Sequence, residues 1–557
     1  MDKWSTACPG WQAKILAGEG LVPDLPLFKE EAARALRIFD RLRVPDVVGQ
    51  PLMKDAGADW FRDIVAALFG SFDPDANRRM IQEFFLLIPK KNGKSSYSAA
   101  LMLVAMIVNR RPNAEFLLVA PTKEIANIAF KQAWNTVKAD DELAKLFHPQ
   151  YHQRTITHRR TGAQLQIKAA DTDTITGSKS AGILIDETHV FAKRSNAADV
   201  FVEIRGSLAA RPDGFLIQVT TQSKDPPAGV FKAELSRARK VRDGKMILPI
   251  LPILYELPDE DADDNGWKDE AMWPLVNPNL GRSVDETFLK NQLIAAEEDG
   301  PEALALFASQ HLNVEIGLRF KTDGWVGATY WPDAADKSIT LDSLIERCDV
   351  AVVGVDGGGL DDLLGFCVIG RCKATRDWLA WCRAWAQDDV LERRKEIVPR
   401  LRDFEKEKTL TICSNPTQDI EELIAIIRRL DEAGILADKW AIGLDQVGIP
   451  TMVDALAGIG VEGDRIAAIA QGFRLNGAIL GAERKLKDGT FWHDGSDLMS
   501  WCIGNVKIEL RGSAVMMTKQ AAGKAKIDPV IALLNAVQLM SRNPTSAAVV
   551  DVMAMIA

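Results

Sequence analysis

The chain has 557 residues, too long for one small core; at about 150 residues per domain it predicts two large domains with additions. A composition of 47% hydrophobic and 26% charged residues excludes a disordered, disulfide-stapled or membrane-embedded class. The 68 Lys+Arg against 77 Asp+Glu leave a net charge of -9, so no global positive field draws in nucleic acid, and any grip on it must be a local basic surface.

Seven cysteines (Cys8, Cys348, Cys367, Cys372, Cys382, Cys413, Cys502) lack paired CxxC spacing and read as reduced thiols, not as a disulfide framework or a zinc site. The first 26 residues hold no apolar leader core, and no apolar run approaches the roughly 18 residues of a membrane span, so neither export nor a membrane partner is expected.

In chain order, helical spacing over residues 30–42 and 60–68 predicts an N-terminal helical preface. Short apolar runs at 84–88, 116–120, 182–185 and 215–219 then alternate with helix-like stretches such as 95–108 and 125–137, predicting βαβ units and a mostly parallel sheet. A charge-rich segment at 232–245 and an acidic one at 259–264 follow, the second reading as a solvated loop. Helical patterning over 284–312 and irregular sequence over 317–336 predict a lid or linker region at about 230–330, with the domain boundary near residue 330. Beyond it, strand-like runs at 350–355, 363–370 and 378–385 predict a meander, followed by a long charged helix over 390–436 and another strand at 440–444.

Two constellations carry chemistry. The first is Ile88-Pro-Lys-Lys-Asn-Gly-Lys-Ser95, a loop between strand and helix where backbone N–H groups and a helix N-terminus can cradle phosphates. Lys94 is placed for the β/γ-phosphates, Ser95 for Mg²⁺, and Lys90 and Lys91 add charge; Asn92 and Gly93 complete the loop, while Ile88 stands where the usual P-loop has its first Gly. The apolar strand Ala181-Gly-Ile-Leu-Ile-Asp-Glu187 ends in two acids, Asp186 to hold Mg²⁺ and Glu187 to polarise the attacking water. Thr220 and Thr221, in Val219-Thr-Thr-Gln-Ser223, are candidates for sensing the γ-phosphate. His189 makes the run Asp186-Glu-Thr-His189 resemble a helicase DEAH box, but alone it reads as a packed or capping histidine.

The second constellation is three spaced aspartates. Asp356 ends the strand of Val352-Val-Gly-Val-Asp-Gly-Gly358, Asp445 ends Ala441-Ile-Gly-Leu-Asp445, and Asp528 precedes Pro529 at a helix start, a natural N-cap. Converging, they form an oxygen-rich site for two Mg²⁺ or Mn²⁺ ions and phosphodiester cleavage. Asp361 and Asp362 are possible additional ligands that a turn also explains; His493 and Asp494 lie in an expected hairpin over 489–495. Meander, helix, fourth strand and terminal helix follow the order of an RNase H-like nuclease.

A P-loop ATPase followed by such a nuclease resembles the large subunit of tailed-phage terminase, over most of the chain. The motifs include the two constellations, Pro121-Thr-Lys-Glu-Ile-Ala126, Ala210-Arg-Pro212, Asn277-Pro-Asn-Leu-Gly281, residues 307–313 and Trp501-Cys-Ile-Gly-Asn505. The resemblance implies an α/β chain: a RecA/ASCE-like ATPase domain with helical additions over 1–330, then an RNase H-like nuclease over 331–557. It implies ATP with Mg²⁺ at a deviant Walker A (Lys94, Ser95) and Walker B (Asp186, Glu187), a coupling motif at Thr220 and Thr221, and Mg²⁺ or Mn²⁺ at Asp356, Asp445 and Asp528. Family members often carry Trp-Gln for the adenine, whereas here Phe61 follows Trp60. An arginine finger from a neighbouring subunit is implied, with Arg154, Arg159, Arg160, Arg205 and Arg211 as candidates.

The implied partners are double-stranded DNA, the portal protein of the procapsid, the terminase small subunit and further copies in a ring, a pentamer. The implied location is the cytoplasm of the infected host, docked on the procapsid. Residues 237–242 are the expected salt-sensitive DNA grip. Two rivals remain: a repair helicase-nuclease, and a non-catalytic prophage remnant acting as a capsid-docking scaffold.

Overall fold

The short apolar runs of the first half form the centre of an eight-stranded sheet in the computed structural model of the chain, which describes residues 4–57, 59–169, 180–194, 196–258, 263–317, 324–445, 450–511, 514–519 and 525–546. The chain divides into two units, Met1–Gly317 and Leu318–Ala557. In the first, the strands are β1 (Glu83–Leu87), β2 (Glu115–Ala120), β3 (Phe147–Gln150), β4 (Thr155–His158), β5 (Gln164–Ala169), β6 (Ser180–Asp186), β7 (Phe215–Thr220) and β8 (Ile250–Leu254). Their order is β8-β1-β7-β6-β2-β5-β4-β3. Neighbours from β8 to β5 are parallel, and β4 and β3 extend the sheet antiparallel.

Strands β3 to β5 and β8 lie outside the expected set. β3 and β4 are short and half polar, and β8 contains Pro252, which a sheet tolerates at the edge that β8 occupies. The helices that shape the site are α1 (Asp59–Gly70), α2 (Lys94–Val108), α3 (Gly229–Arg242), α4 (Glu286–Asp299) and α5 (Pro301–Leu312). α4 and α5 replace the single helical stretch expected over 284–312, because Gly300 at φ 95 and Pro301 break the ladder between them.

In the second unit the strands are β9 (Cys348–Gly357), β10 (Leu363–Cys372), β11 (Trp378–Gln387), β12 (Leu410–Cys413), β13 (Ile442–Asp445), β14 (Ile466–Ile469) and β15 (Phe491–His493), and a separate hairpin joins β16 (Val506–Arg511) to β17 (Ala514–Lys519). The main order is β12-β11-β10-β9-β13-β14, with β15 also on β11. β9 to β11 form the expected antiparallel meander; the other strands join it parallel. The long helix expected over 390–436 is interrupted by β12, whose four residues sit among charges that masked the strand. The hairpin expected over 489–495 is instead β15. Trp325, Ala328 and Trp331, in the segment expected to be a linker, pack into this unit's core.

The last described helix, α6 (Asp528–Met540), lies across β9 and β10 at a separation only glycine permits. A Cβ on Gly354 would stand 2.0 Å from the Ala532 carbonyl oxygen, and one on Gly365 would stand 2.5 Å from the Asp528 carbonyl carbon. Asn535, fully buried on this helix, donates to the Val355 carbonyl at 2.9 Å, which fixes the helix along the strand.

His493 is buried, stacked on Trp331 with ring centroids 3.7 Å apart, and its Nε2 lies 2.7 Å from the Trp331 carbonyl. Burial pushes its imidazole down to about 4, against the partial support of that carbonyl. The unfolded chain has a histidine near 6.5, so stability is complete above that pH and falls as pH drops from 6.5 towards 4. Between pH 7 and pH 5 this histidine contributes a loss of about 2 kcal/mol. Unfolding of wild type and His493→Phe at both pH values should show the wild type losing more stability by that amount; parallel losses would contradict the assignment.

Candidate active sites

The phosphate loop of the first unit leaves β1 and enters α2. Ile88, at the position of the missing glycine, donates its backbone N–H to the Thr220 carbonyl at 2.9 Å, so it continues the β1–β7 pairing and needs no glycine conformation. Gly93 does: its φ is 74, and a Cβ there would stand 2.7 Å from the Tyr97 ring. Lys94 is 7% exposed and its Nζ donates to the Ile88 and Pro89 carbonyls at 2.9 and 3.2 Å. Burial pushes its ammonium down, opposed by the charges of Glu187 and Asp186. Ser95 is half-buried at the start of α2.

Because β7 lies between β1 and β6, Thr220 sits between the loop and the acids. Burial, then the Glu187 charge, raises Asp186, while Lys94 and a hydrogen bond with Ser95 oppose the rise. Burial also works against ionised Glu187, but the contact with His189 and the charge of Lys94 hold it below the usual carboxylate range. His189 Nδ1 lies 3.1 Å from the Glu187 carboxylate and 3.1 Å from Thr220 Oγ1, and the His189 backbone N–H donates to that hydroxyl at 3.0 Å. The histidine read as packing therefore links the acid to the threonine pair. Thr221 is fully buried and its hydroxyl stands 3.5 Å from the same ring nitrogen.

Two asparagines distant in the chain hold the loop. Asn92, fully buried, donates to Asn277 Oδ1 at 2.8 Å and accepts from the Asn279 N–H at 3.0 Å. Asn279 donates to the Tyr97 hydroxyl at 3.0 Å and accepts from Trp60 Nε1 at 2.9 Å. Lys90 turns to Gln310 on α5, and Lys91, with φ 69, is exposed. Asn313, just beyond α5, accepts from the Gln222 N–H at 3.1 Å and donates to the Tyr255 carbonyl at 2.8 Å, joining the segment after β7 to the end of β8.

In the second unit, Asp356 and Asp445 sit at the C-terminal ends of the paired strands β9 and β13. Asp356 pairs across the meander with Gly365, whose missing side chain lets the start of α6 settle there, so Asp528 comes beside Asp356. Asp528 is the first residue of the helix and Ile527 occupies the cap position. Burial, then the charges of Asp528 and Asp445, pushes Asp356 up to about 8. Asp362, in the turn before β10, stands against Asp528: Lys526 and Lys519 donate to it at 2.7 and 3.0 Å, and Lys519 lies 3.6 Å from Asp528.

Among the described residues no group of three or more His, Cys, Asp or Glu side chains is arranged to hold a metal ion. The two ammonium groups partly neutralise the cluster in that arrangement. The donor set nevertheless suits divalent cations: it is all carboxylate, and Asp528 Oδ2 is buried without a hydrogen-bond partner.

Other sequence candidates have structural partners. Arg205 bridges Glu83 at 2.8 Å and Glu234 at 2.6 Å. The expected DNA grip on α3 is largely committed to carboxylates, Arg237 to Glu234, Arg239 to Glu256 and Glu315, and Arg242 to Glu256 and Asp243, leaving Lys240 exposed. His493 packs against Trp331, and buried Asp494 accepts from the Cys382 N–H at 3.2 Å.

Residues 59–236 match the family model of the terminase large subunit ATPase domain, and residues 254–543 that of its endonuclease domain. Protein YmfN of Escherichia coli K12 is 25% identical over 297 residues, 51% of this chain and 62% of that protein, so the match spans less than two thirds of this relative. The terminase large subunit of Lactococcus phage p2 is 21% identical over 473 residues, 83% of this chain and 82% of that protein. The crystal structure of the HK97 bacteriophage large terminase is 19% identical, with a TM-score of 0.45, covering 91% of this chain and 99% of that one. With both of its units matched in order, the chain belongs to the terminase large subunit family and carries that family's ATPase and endonuclease domains.

Proposed function

We propose that this protein is an ATP-driven motor that translocates double-stranded phage DNA into a procapsid and cuts concatemeric DNA by a two-metal endonuclease mechanism. The observation that carries this reading is the pairing of clustered carboxylates with lysine in each unit: Asp186 and Glu187 at the end of β6 facing Lys94, and Asp356 on β9, Asp362 in the turn before β10 and Asp528 at the start of α6 gathered with Lys519 and Lys526. The working partners are the portal, the small subunit and further copies in a ring, and the setting is the host cytoplasm. A repair helicase-nuclease would need a second motor lobe, whereas the second unit is a meander-based sheet matched by the endonuclease domain.

In the first site the N–H groups of residues 91–95 and the start of α2 receive the ATP phosphates, the Lys90 N–H being held by the Gln310 carbonyl at 2.7 Å. Lys94 exchanges its two loop carbonyls for phosphate oxygens, Ser95 and Asp186 hold Mg²⁺, and Glu187 accepts the proton of the attacking water. His189 keeps the Glu187 carboxylate oriented and passes its position to Thr220 and Thr221. In the second site Asp356, Asp445 and Asp528 hold Mg²⁺ or Mn²⁺, which when bound supply charge stabilisation for the attacking and leaving oxygens of a phosphodiester.

Glu187→Gln should lower kcat for ATP about 100-fold or more while sparing Mn²⁺-dependent nicking. Asp356→Ala should abolish nicking and leave ATP turnover within about twofold. Loss of both activities in either variant would contradict two independent sites. His189→Ala should lower kcat about tenfold with KM for ATP unchanged, as expected of a misplaced base; a change in KM alone would assign His189 to nucleotide binding instead.

A further inference from the structure

Beside the acid cluster of the second unit lies a cavity of about 430 Å³ that the catalytic reading leaves without a role. Among the described residues its charged lining is Asp361, Asp362, Arg393, Arg394, Lys519 and Lys526: four cations against two carboxylates. Both carboxylates are shared by cations that remain. Asp361 takes both arms of Arg394, and Asp362 takes Lys519 and Lys526. Among the described residues Arg393, 53% exposed, has an ion pair with Asp389 alone, one helical turn back at 3.7 Å, a weak surface contact. Within the described lining the cations outnumber the carboxylates, with Lys519 also serving Asp528 and Arg393 the most loosely held.

What fills such a cavity is constrained by its neighbours. Asp362 and Lys519 belong both to the cavity and to the cluster around Asp528, so an anion in the cavity lies next to the reacting centre. Leu360 stands at the lip, 54% exposed, offering an apolar contact beside the cations. Anionic groups along a chain, with apolar sugar faces between them, match this sequence of surfaces, and guanidinium groups suit phosphate through paired donors.

We propose that this cavity is a phosphate subsite for the DNA strand being cut: it seats a backbone phosphate next to the scissile one, with Arg393 and Arg394 as positioning residues and Leu360 against the intervening sugar. Asp361 and Asp362 orient the cations without neutralising them. The subsite rests on the nuclease reading of Asp356 and Asp528 and adds how the strand is held there.

The test uses the full chain with supercoiled plasmid and Mn²⁺, comparing wild type, Arg393→Gln, Arg393→Lys, and the double variant Arg393→Gln/Arg394→Gln. Arg393→Gln should raise KM for nicking about fivefold to tenfold with kcat within about twofold, and reduce the salt slope of kcat/KM by about one. Arg393→Lys should restore most of the loss, and the double variant should lose more. ATP turnover should be unchanged in all three. If the double variant fails to fold, as its ATP turnover and melting would reveal, the Arg393 pair of variants decides alone.

Unchanged KM and salt slope in Arg393→Gln, alongside an inactive Asp356→Ala, would overturn the subsite and leave the nuclease reading standing. Nicking that survives Asp356→Ala would overturn the nuclease reading itself. Inorganic phosphate and a deoxynucleoside monophosphate serve as competitors: weak competition with DNA that disappears in Arg393→Gln supports the strand subsite. Tight binding of either one with no effect of the variant on KM for DNA would assign the cavity to a free phosphate ligand and overturn the proposal.

Discussion

A carboxylate at the tip of a buried strand is poorly solvated, and it stays ionised only if positive charge is brought to it. Both units of this protein are built around that requirement. In the first, Asp186 and Glu187 leave β6 into a buried setting where Lys94 and His189 are the nearest compensation. In the second, the charges of Asp528 and Asp445 act on Asp356, and Lys519 and Lys526 supply part of the missing charge. The residual imbalance makes each place receptive to a divalent cation, and to the phosphates that accompany one.

Close packing brings these groups together. Gly365 opposite Asp356, and Gly354 two residues earlier on the same strand, let α6 approach β9 and β10 closely enough to set Asp528 beside Asp356. Asn535, about two turns further along the helix, locks the approach through the Val355 carbonyl. In the first unit the corresponding work falls to polar side chains: Asn92, Asn277 and Asn279 satisfy one another and the backbone of the loop over 88–95, which fixes its form.

How much of this was legible in the sequence depends on distance along the chain. Asp186, Asp356 and Asp445 each end an apolar run, a local pattern, and the strands carrying them lie close to where periodicity predicts. The loop from Ile88 to Ser95 is likewise contiguous. Asp362 and His189 were visible but discounted, since a turn or a packed ring explains either one until its partners appear. Asn277 and Asn279 stood out as a motif without a function, because their contacts with Asn92 span more than 180 positions. β12 was hidden by its charged flanks, and Lys519 and Lys526 carry no local signal. The basic stretch on α3 looked like a DNA grip only while its carboxylate partners were unknown.

Cleavage at the second unit requires that its acids meet around metal. The most direct measurement is a crystal structure of the full chain in Mn²⁺, with anomalous differences collected at the manganese edge. Peaks bounded by Asp356, Asp445 and Asp528, with Lys519 displaced from Asp528, are the expected result. An empty anomalous map at those carboxylates, with both lysines still bonded to Asp362 at saturating Mn²⁺, would contradict it.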